Sequence, residues 1–182
     1  MNLPPELQAA LLGRRMVFLR GKLDDAAASN VAAQLLLVGR MAEARPVEVY
    51  IDSPGGTLAA ALTVYDVLQS LKAPVSTTCA GTADGAAVLV LAGGAPGRRF
   101  ALPHARIHLS EEQVDLAATT GRQVPNEAAE AARIRARWRT ALVQHSAHSA
   151  ERLDRDLAAG RWLSAAEARD YGLVDGIIPG RG

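Results

Sequence analysis

The chain has 182 residues, of which 49% are hydrophobic, and this composition suits a globular domain while excluding a disordered or coiled-coil protein. A net charge of +1 and an aromatic content of 4% argue against a nucleic-acid-binding surface. The single cysteine excludes an internal disulfide, and no apolar stretch reaches the length of a membrane span. We therefore expect one domain over 1–182 in a cytoplasmic protein, with neither nucleic acid nor membrane as a partner.

Strand and helix patterns alternate in the first part of the chain. Apolar runs at 16–19 and 47–51 predict strands. Asp24 or Asp25 is placed to cap the helix after the first strand, because a carboxylate accepts from the free N–H groups of a first helical turn. A helix is also predicted over 58–68. In the helix that Asp24 or Asp25 would cap, the buried stripe is predicted to comprise Val31, Leu35, Val38 and Met41.

The alternation continues to the end of the chain. A strand at 75–79 precedes a small-residue loop and an apolar helix that starts at 86. The later predicted strands cover 100–102, 107–109 and 173–178, and the later helices cover 126–145 and 150–158. Ser164 and Glu167 have the spacing of a capping box. Such alternation favours an α/β architecture with largely parallel strand pairing.

Several sequence blocks resemble one known family in order and spacing. They are YIDSPGG at 50–56, CAGTA at 79–83, GRRFALP at 97–103, WLSAAEA at 162–168 and YGLVD at 171–175. Together they are similar to the Clp protease proteolytic subunits (ClpP family) over nearly the whole chain. The resemblance implies an α/β, crotonase-like fold of stacked β-β-α units with a protruding handle helix. It also implies heptameric rings, formed with copies of this chain or with Clp paralogues, and a Clp ATPase unfoldase as a partner.

The family's catalytic positions do not carry catalytic side chains in this sequence. A serine hydrolase requires a hydroxyl nucleophile, a base within hydrogen-bond reach and donors for the oxyanion. The positions that match the family's serine, histidine and aspartate hold Gly85, Ser110 and Gly160. The chain therefore resembles a degenerate member of the family, similar to its non-catalytic, ClpR-type subunits.

Other features of the family match better. The backbone N–H groups of Gly56 and Ala86 correspond to the family's oxyanion donors, which do not depend on side chains. Tyr50 corresponds to a position that helps to line the family's ATPase-docking pocket. We expect neither a metal nor a cofactor.

Three side chains near the altered positions are possible substitutes: Asp84, His104 and His108. Since side chains alternate along a strand, His108 and Ser110 are expected on the same face. The simpler interpretation is that Asp84 caps the helix beginning at Ala86 and that both histidines are ordinary polar residues.

Three functions remain open. The first is a non-catalytic subunit of a Clp proteolytic complex with an assembly or regulatory role. The second is a residual serine-type peptidase that combines Ser110 with His104 or His108. The third is crotonase-like acyl-CoA chemistry, in which Asp84 is the acid or base beside the donors at Gly56 and Ala86.

Overall fold

The computed structural model describes residues 4–41, 44–110 and 124–180. Its strands are β1 Met16–Arg20, β2 Val47–Ser53, β3 Val75–Asp84, β4 Arg99–Ala101, β5 Arg106–Leu109, β6 Arg161–Ser164 and β7 Gly176–Ile177. Its helices are α1 Pro5–Gly13, α2 Asp25–Met41, α3 Leu58–Ser70, α4 Ala86–Ala92, α5 Val124–Gln144, α6 Ala150–Ala158 and α7 Ala165–Asp170. Within these ranges, none of the helices combines the length and the apolarity needed to cross a membrane.

The strands form one mixed sheet with the order β1-β2-β3-β4-β7, to which β5 is added through β3 and β6 through β5. Every pair is parallel except β5 with β6, which confirms the predicted α/β class and its largely parallel pairing. β3 extends beyond the predicted 75–79 because two strands, β4 and then β5, pair with it in succession along the chain. Thr77–Cys79 pair with β4, and Thr82–Asp84 pair with β5. The second pairing brings Asp84, the last residue of β3, beside His108.

The core lies between the sheet and its helices. Val47, Val49 and Ile51 of β2 are fully buried, as their alternation predicts. All seven residues of α4 are also buried, which explains the uninterrupted apolar run in that helix. The prediction that Met41 belongs to the buried stripe of α2 is wrong, since its side chain is 68% exposed. Met41 is the last residue of the helix, and the buried residues of α2 end at Gly39.

Helix caps agree with the sequence patterns at two places. Asp24 accepts a hydrogen bond of 2.8 Å from the backbone N–H of Ala27, so it caps α2. Ser164 and Glu167 form the predicted capping box at the start of α7. Three elements differ from the predictions: α1 and β6 were not expected, and the last strand contains only Gly176–Ile177.

Helix α5 is the candidate for the family's handle. It has 21 residues, and Trp138 and Leu142 in its C-terminal half are buried against the core. Arg139 is paired with Asp154 of α6, which attaches the two helices to each other. Arg133 of the same helix pairs with Glu130 at 3.2 Å, so at least two arginines of α5 have intramolecular partners.

A buried carboxylate holds the C-terminal elements together. Asp156 of α6 accepts hydrogen bonds from Arg152 Nε at 2.8 Å, Tyr171 Oη at 2.9 Å and Arg161 Nη1 at 3.3 Å. Burial by itself raises the pKa of Asp156, but these hydrogen bonds hold the pKa below its ordinary value. A carboxylate with this many donors stabilises the folded state only while it is charged.

We predict that Asp156→Asn lowers the free energy of unfolding by about 1–3 kcal/mol at neutral pH. Because the pKa is lowered in the folded state, the contribution is complete above the ordinary carboxyl pKa and is lost as pH falls through the lowered value. Chemical denaturation across this pH range measures it. The control is Asp170→Asn, whose side chain is 69% exposed and which should change stability by less than about 0.5 kcal/mol. Equal losses in both variants, or a loss independent of pH, would contradict the prediction.

The Ser-Pro-Gly-Gly turn after β2 has a structural explanation. Leu23 and Gly56 form an isolated parallel bridge, and Leu23 N–H donates to the Gly55 carbonyl at 2.8 Å. A Cβ at position 56 would lie 2.0 Å from the carbonyl oxygen of Leu23. Gly55 has a φ of 90°, which only glycine adopts without strain. Both glycines are therefore required by the backbone, whatever the chemistry nearby.

We predict that Gly56→Ala lowers the free energy of unfolding by about 3 kcal/mol or more, because the new methyl group overlaps a backbone atom that cannot move alone. Gly13→Ala is the matched control, since no atom lies within 4 Å of a Cβ at that position. This control should be neutral or stabilising by up to about 1 kcal/mol. Urea unfolding curves measure both, and a Gly56→Ala protein as stable as the control would refute the packing argument.

Candidate functional site

The carboxylate of Asp84 joins two side chains of the predicted site. Ser110 Oγ donates a hydrogen bond of 2.8 Å to Asp84 Oδ1, and His108 Nδ1 lies 2.8 Å from the same oxygen. The parallel register places Asp84 directly beside His108, so their side chains share one face of the sheet. We call Asp84, His108, Ser110 and Trp162 the Asp84 cluster. The predicted common face of His108 and Ser110 is confirmed by their shared contact.

The ring of His108 is fixed by an aromatic neighbour. It stacks on Trp162 with ring centroids 4.1 Å apart and planes inclined by 5°. The two residues are direct cross-strand partners in the antiparallel β5–β6 pair. The guanidinium carbon of Arg106 also lies over the Trp162 ring, 5.6 Å from its centre. Stacking therefore limits rotation of the imidazole about its side-chain bonds.

The contact between His108 and Asp84 is mainly electrostatic. Its length is that of a hydrogen bond, but the Nδ1–H direction misses the carboxylate oxygen, and Nδ1 has no well-directed acceptor among the described residues. The attraction is greatest when the imidazole is protonated. The His108 side chain is 18% exposed and the Asp84 side chain is 23% exposed, so water reaches both.

Gly85 has the backbone of a sharp strand-to-helix turn but no side chain. Its φ is 45° and its ψ is −110°, between the end of β3 and the first residue of α4. Its N–H donates to the carbonyl of His108 at 3.0 Å. The prediction that Asp84 caps α4 is wrong: α4 has no side-chain cap at Gly85, and the Asp84 carboxylate contacts β5 instead.

Gly160 lies on the other side of His108. A Cβ placed on Gly160 would lie 3.5 Å from His108 Nε2, and the backbone there has a φ of 61°. Gly85, Ser110 and Gly160 therefore all lie near His108: the Gly85 N–H donates to its backbone carbonyl, Ser110 shares the Asp84 carboxylate with it, and Gly160 faces its Nε2. From the sequence, we expected the His108 imidazole to lie one strand step from the position of the family's base, which Ser110 occupies.

The remaining predicted residues lie apart from this cluster or are already engaged. His104 is in the exposed turn between β4 and β5, and its side chain has no hydrogen bond or ion pair within the described part of the chain. Tyr50 is half-buried, stacks on Phe18 at 5.3 Å and donates to Glu48 at 3.2 Å. The role of Tyr50 in docking stays a prediction.

The predicted oxyanion donors are part of local backbone structure. Gly56 forms the bridge with Leu23, and Ala86 is the fully buried first residue of α4. Both residues have interactions of their own. Their role as oxyanion donors therefore also stays a prediction.

Two further side-chain chemistries have little support in this structure. Burial raises the pKa of the Cys79 thiol to about 12, so the thiolate needed for nucleophilic attack is scarce at neutral pH. Over the ranges 4–41, 44–110 and 124–180, no three histidine, cysteine, aspartate or glutamate side chains group together as metal ligands. The chemistry available in this region is that of the Asp84 cluster.

Two surface grooves are separate from the cluster. One of about 460 Å³ runs between α3 and α5 and is bordered by Leu62, Tyr65 and Arg137. The other, of about 330 Å³, follows Leu37 and Met41 of α2. Neither groove includes a residue of the Asp84 cluster, so side-chain chemistry, not groove size, identifies the candidate site.

Sequence reasoning missed Trp162 and Arg106. Trp162 appeared only as part of a motif, because β6 was not predicted and its cross-strand partner was therefore unknown. Arg161–Ser164 is too short for a strand period to be recognised in the sequence.

Comparisons with known proteins agree with the resemblance in the motifs. A family model described as Clp protease matches residues 5–181. An ATP-dependent Clp protease proteolytic subunit-like protein of Streptomyces coelicolor is 39% identical over 172 residues, covering 94% of this chain and 82% of the relative. ATP-dependent Clp protease proteolytic subunit 2 of the same organism is 38% identical over 173 residues, covering 95% and 79%.

A third relative is ATP-dependent Clp protease proteolytic subunit 1 of Bifidobacterium longum, which is 36% identical over 167 residues, 92% of this chain and 72% of the relative. These matches extend over most of both proteins, and the family model spans nearly the whole chain. The chain therefore belongs to the Clp protease family.

Proposed function

We propose that this chain is a non-catalytic subunit of an ATP-dependent Clp proteolytic complex, with a role in assembly or regulation. The observation that carries the proposal is the strand-to-helix turn at Gly85, where the position matched to the family's nucleophile has no side chain. Covalent acyl transfer needs an attacking atom, and glycine offers none.

The other two positions support the same proposal. Ser110 stands where the family's base is expected, and its hydroxyl donates to Asp84. An alcohol oxygen is too weakly basic to take a proton from a nucleophile as an imidazole does. Gly160 offers no carboxylate to orient an imidazole. Loss of nucleophile, base and orienting acid together removes the elements on which serine peptidase catalysis depends.

An assembly role is consistent with the family of the chain. The curated relatives are named as proteolytic subunits of ATP-dependent Clp proteases, and a subunit contributes surface as well as chemistry. We propose rings that contain this chain, alone or with active Clp paralogues, and docking of a Clp ATPase that involves the region around Tyr50.

A second candidate is a residual serine peptidase, and one observation favours it. Ser110, Asp84 and His108 form a continuous set of contacts that resembles a triad in composition. The order is different, however, because the carboxylate lies between the hydroxyl and the imidazole. A hydroxyl that donates to a carboxylate is not activated by the imidazole on the other side.

We predict that the purified chain forms no covalent adduct with a fluorophosphonate probe, as measured by intact-protein mass spectrometry. An active Clp proteolytic subunit treated in parallel is the positive control. An adduct that maps to Ser110 and is absent from Ser110→Ala would establish the second candidate and overturn the first.

We also predict that the chain assembles with a Clp proteolytic paralogue when the two are co-expressed. Native mass spectrometry of the purified complex should give masses that contain both subunits, or rings of this chain alone. A chain that remains monomeric both alone and with each paralogue would contradict the assembly role, irrespective of the labelling result.

A further inference from the structure

The two ring nitrogens of His108 have different surroundings. Nδ1 lies 2.8 Å from the Asp84 carboxylate. Nε2 is directed towards Gly160, where a Cβ would lie 3.5 Å away, and it has no hydrogen bond to any described residue. Gly160 has no side chain that could cover Nε2 from this direction.

The groups around the ring hold it in this orientation. Trp162 stacks on one face at 4.1 Å, and Asp84 is itself held by the hydroxyl of Ser110 at 2.8 Å. Although the Nδ1–H direction misses Asp84 Oδ1, the negative charge 2.8 Å away favours the tautomer whose proton is on Nδ1. An oriented imidazole with one free, basic nitrogen is the arrangement of a general acid–base.

We infer that His108, oriented by Asp84 and Trp162, activates water for the hydrolysis of small activated acyl compounds, namely esters and thioesters with good leaving groups. This activity is separate from the proposed assembly role. The reaction needs no nucleophilic side chain at position 85, because water supplies the attacking oxygen.

The reaction balances with water as the only co-reactant. The water oxygen forms a bond to the acyl carbon, the carbonyl π pair moves to its oxygen, and the proton released from water goes to His108 Nε2. When the carbonyl re-forms, the bond to the leaving oxygen or sulfur breaks, and the Nε2 proton passes to that atom. The products are a carboxylic acid and an alcohol or thiol, and His108 regains its starting state.

The same geometry limits the substrates. An amide has a poor leaving group, and its hydrolysis by enzymes of this kind uses a covalent nucleophile that Gly85 does not supply. A positioned general base contributes about 10²–10⁴-fold, which is sufficient for an activated ester but not for a peptide bond. The inference therefore agrees with the absence of serine peptidase chemistry.

The test is hydrolysis of p-nitrophenyl acetate by the full chain, with the rate above buffer compared among single variants. His108→Gln should lower this excess rate by at least about tenfold, and Asp84→Asn should lower it less. The matched control is His104→Gln, an exposed histidine four residues earlier, which should keep the wild-type rate.

A measurement on the unmutated chain covers the case in which a variant fails to fold. Diethyl pyrocarbonate modifies accessible imidazoles, and modification mapped to His108 should abolish the excess rate, which hydroxylamine should restore.

Trp162→Phe keeps an aromatic face and should keep most of the activity, whereas Trp162→Ala should lower kcat more than it changes KM. Equal rates for the His104 and His108 variants, or full activity after His108 is modified, would overturn the inference.

Mass spectrometry during turnover distinguishes a failure of this inference from a failure of the proposed non-catalytic role. Direct attack by water leaves no acetyl group on the chain. An acetyl group on Ser110 would overturn the water mechanism and would also support the residual serine peptidase. No excess rate and no adduct would overturn only the present inference and would leave the non-catalytic assembly role intact.

Discussion

The contact of the Asp84 carboxylate with Ser110 and His108 decides what the candidate site can do. β3 continues beyond its pairing with β4 and acquires β5 as a second partner, which carries Asp84 to the side of His108. A carboxylate at this place accepts from the Ser110 hydroxyl and attracts the Nδ1 side of the His108 ring by its charge. It therefore separates the two groups that a serine hydrolase would have to join directly.

The two glycines at the positions matched to the family's nucleophile and acid have an unusual backbone conformation. Gly85 and Gly160 have φ values of 45° and 61°, so both backbones adopt a region that glycine enters at little cost. Conformations of this kind cluster at functional sites, where the surrounding structure holds them in place. The arrangement illustrates why membership of a family establishes a fold and not an activity.

Much of the fold could be predicted because burial imposes a simple period on the sequence. The alternation in β2 and the capping box at Ser164 and Glu167 both depend on neighbours within a few residues, and both were confirmed. Met41 has the same helical spacing as its buried neighbours, but burial depends on what covers the end of α2, and that information is not local.

The candidate site was predicted less completely for the same reason. A motif and its spacing brought Gly85, Ser110 and Gly160 to attention, but the sequence could not show where the Asp84 carboxylate points. Instead of capping the helix, the Asp84 carboxylate contacts His108 on β5 and Ser110 directly after it, each more than 20 residues away in the chain. The stacking of Trp162 on His108 depends on an antiparallel pair with β6, a four-residue strand whose pattern is too short to recognise.

The most direct test of this account is the tautomer of His108, measured by long-range ¹H–¹⁵N correlation NMR on the uniformly labelled chain. The chain has four histidines, so His108→Gln assigns the resonance. We predict that neutral His108 carries its proton on Nδ1, towards Asp84, and that Asp84→Asn removes this preference. A proton on Nε2 in the unmutated chain, unchanged in Asp84→Asn, would contradict the claim that Asp84 orients the site.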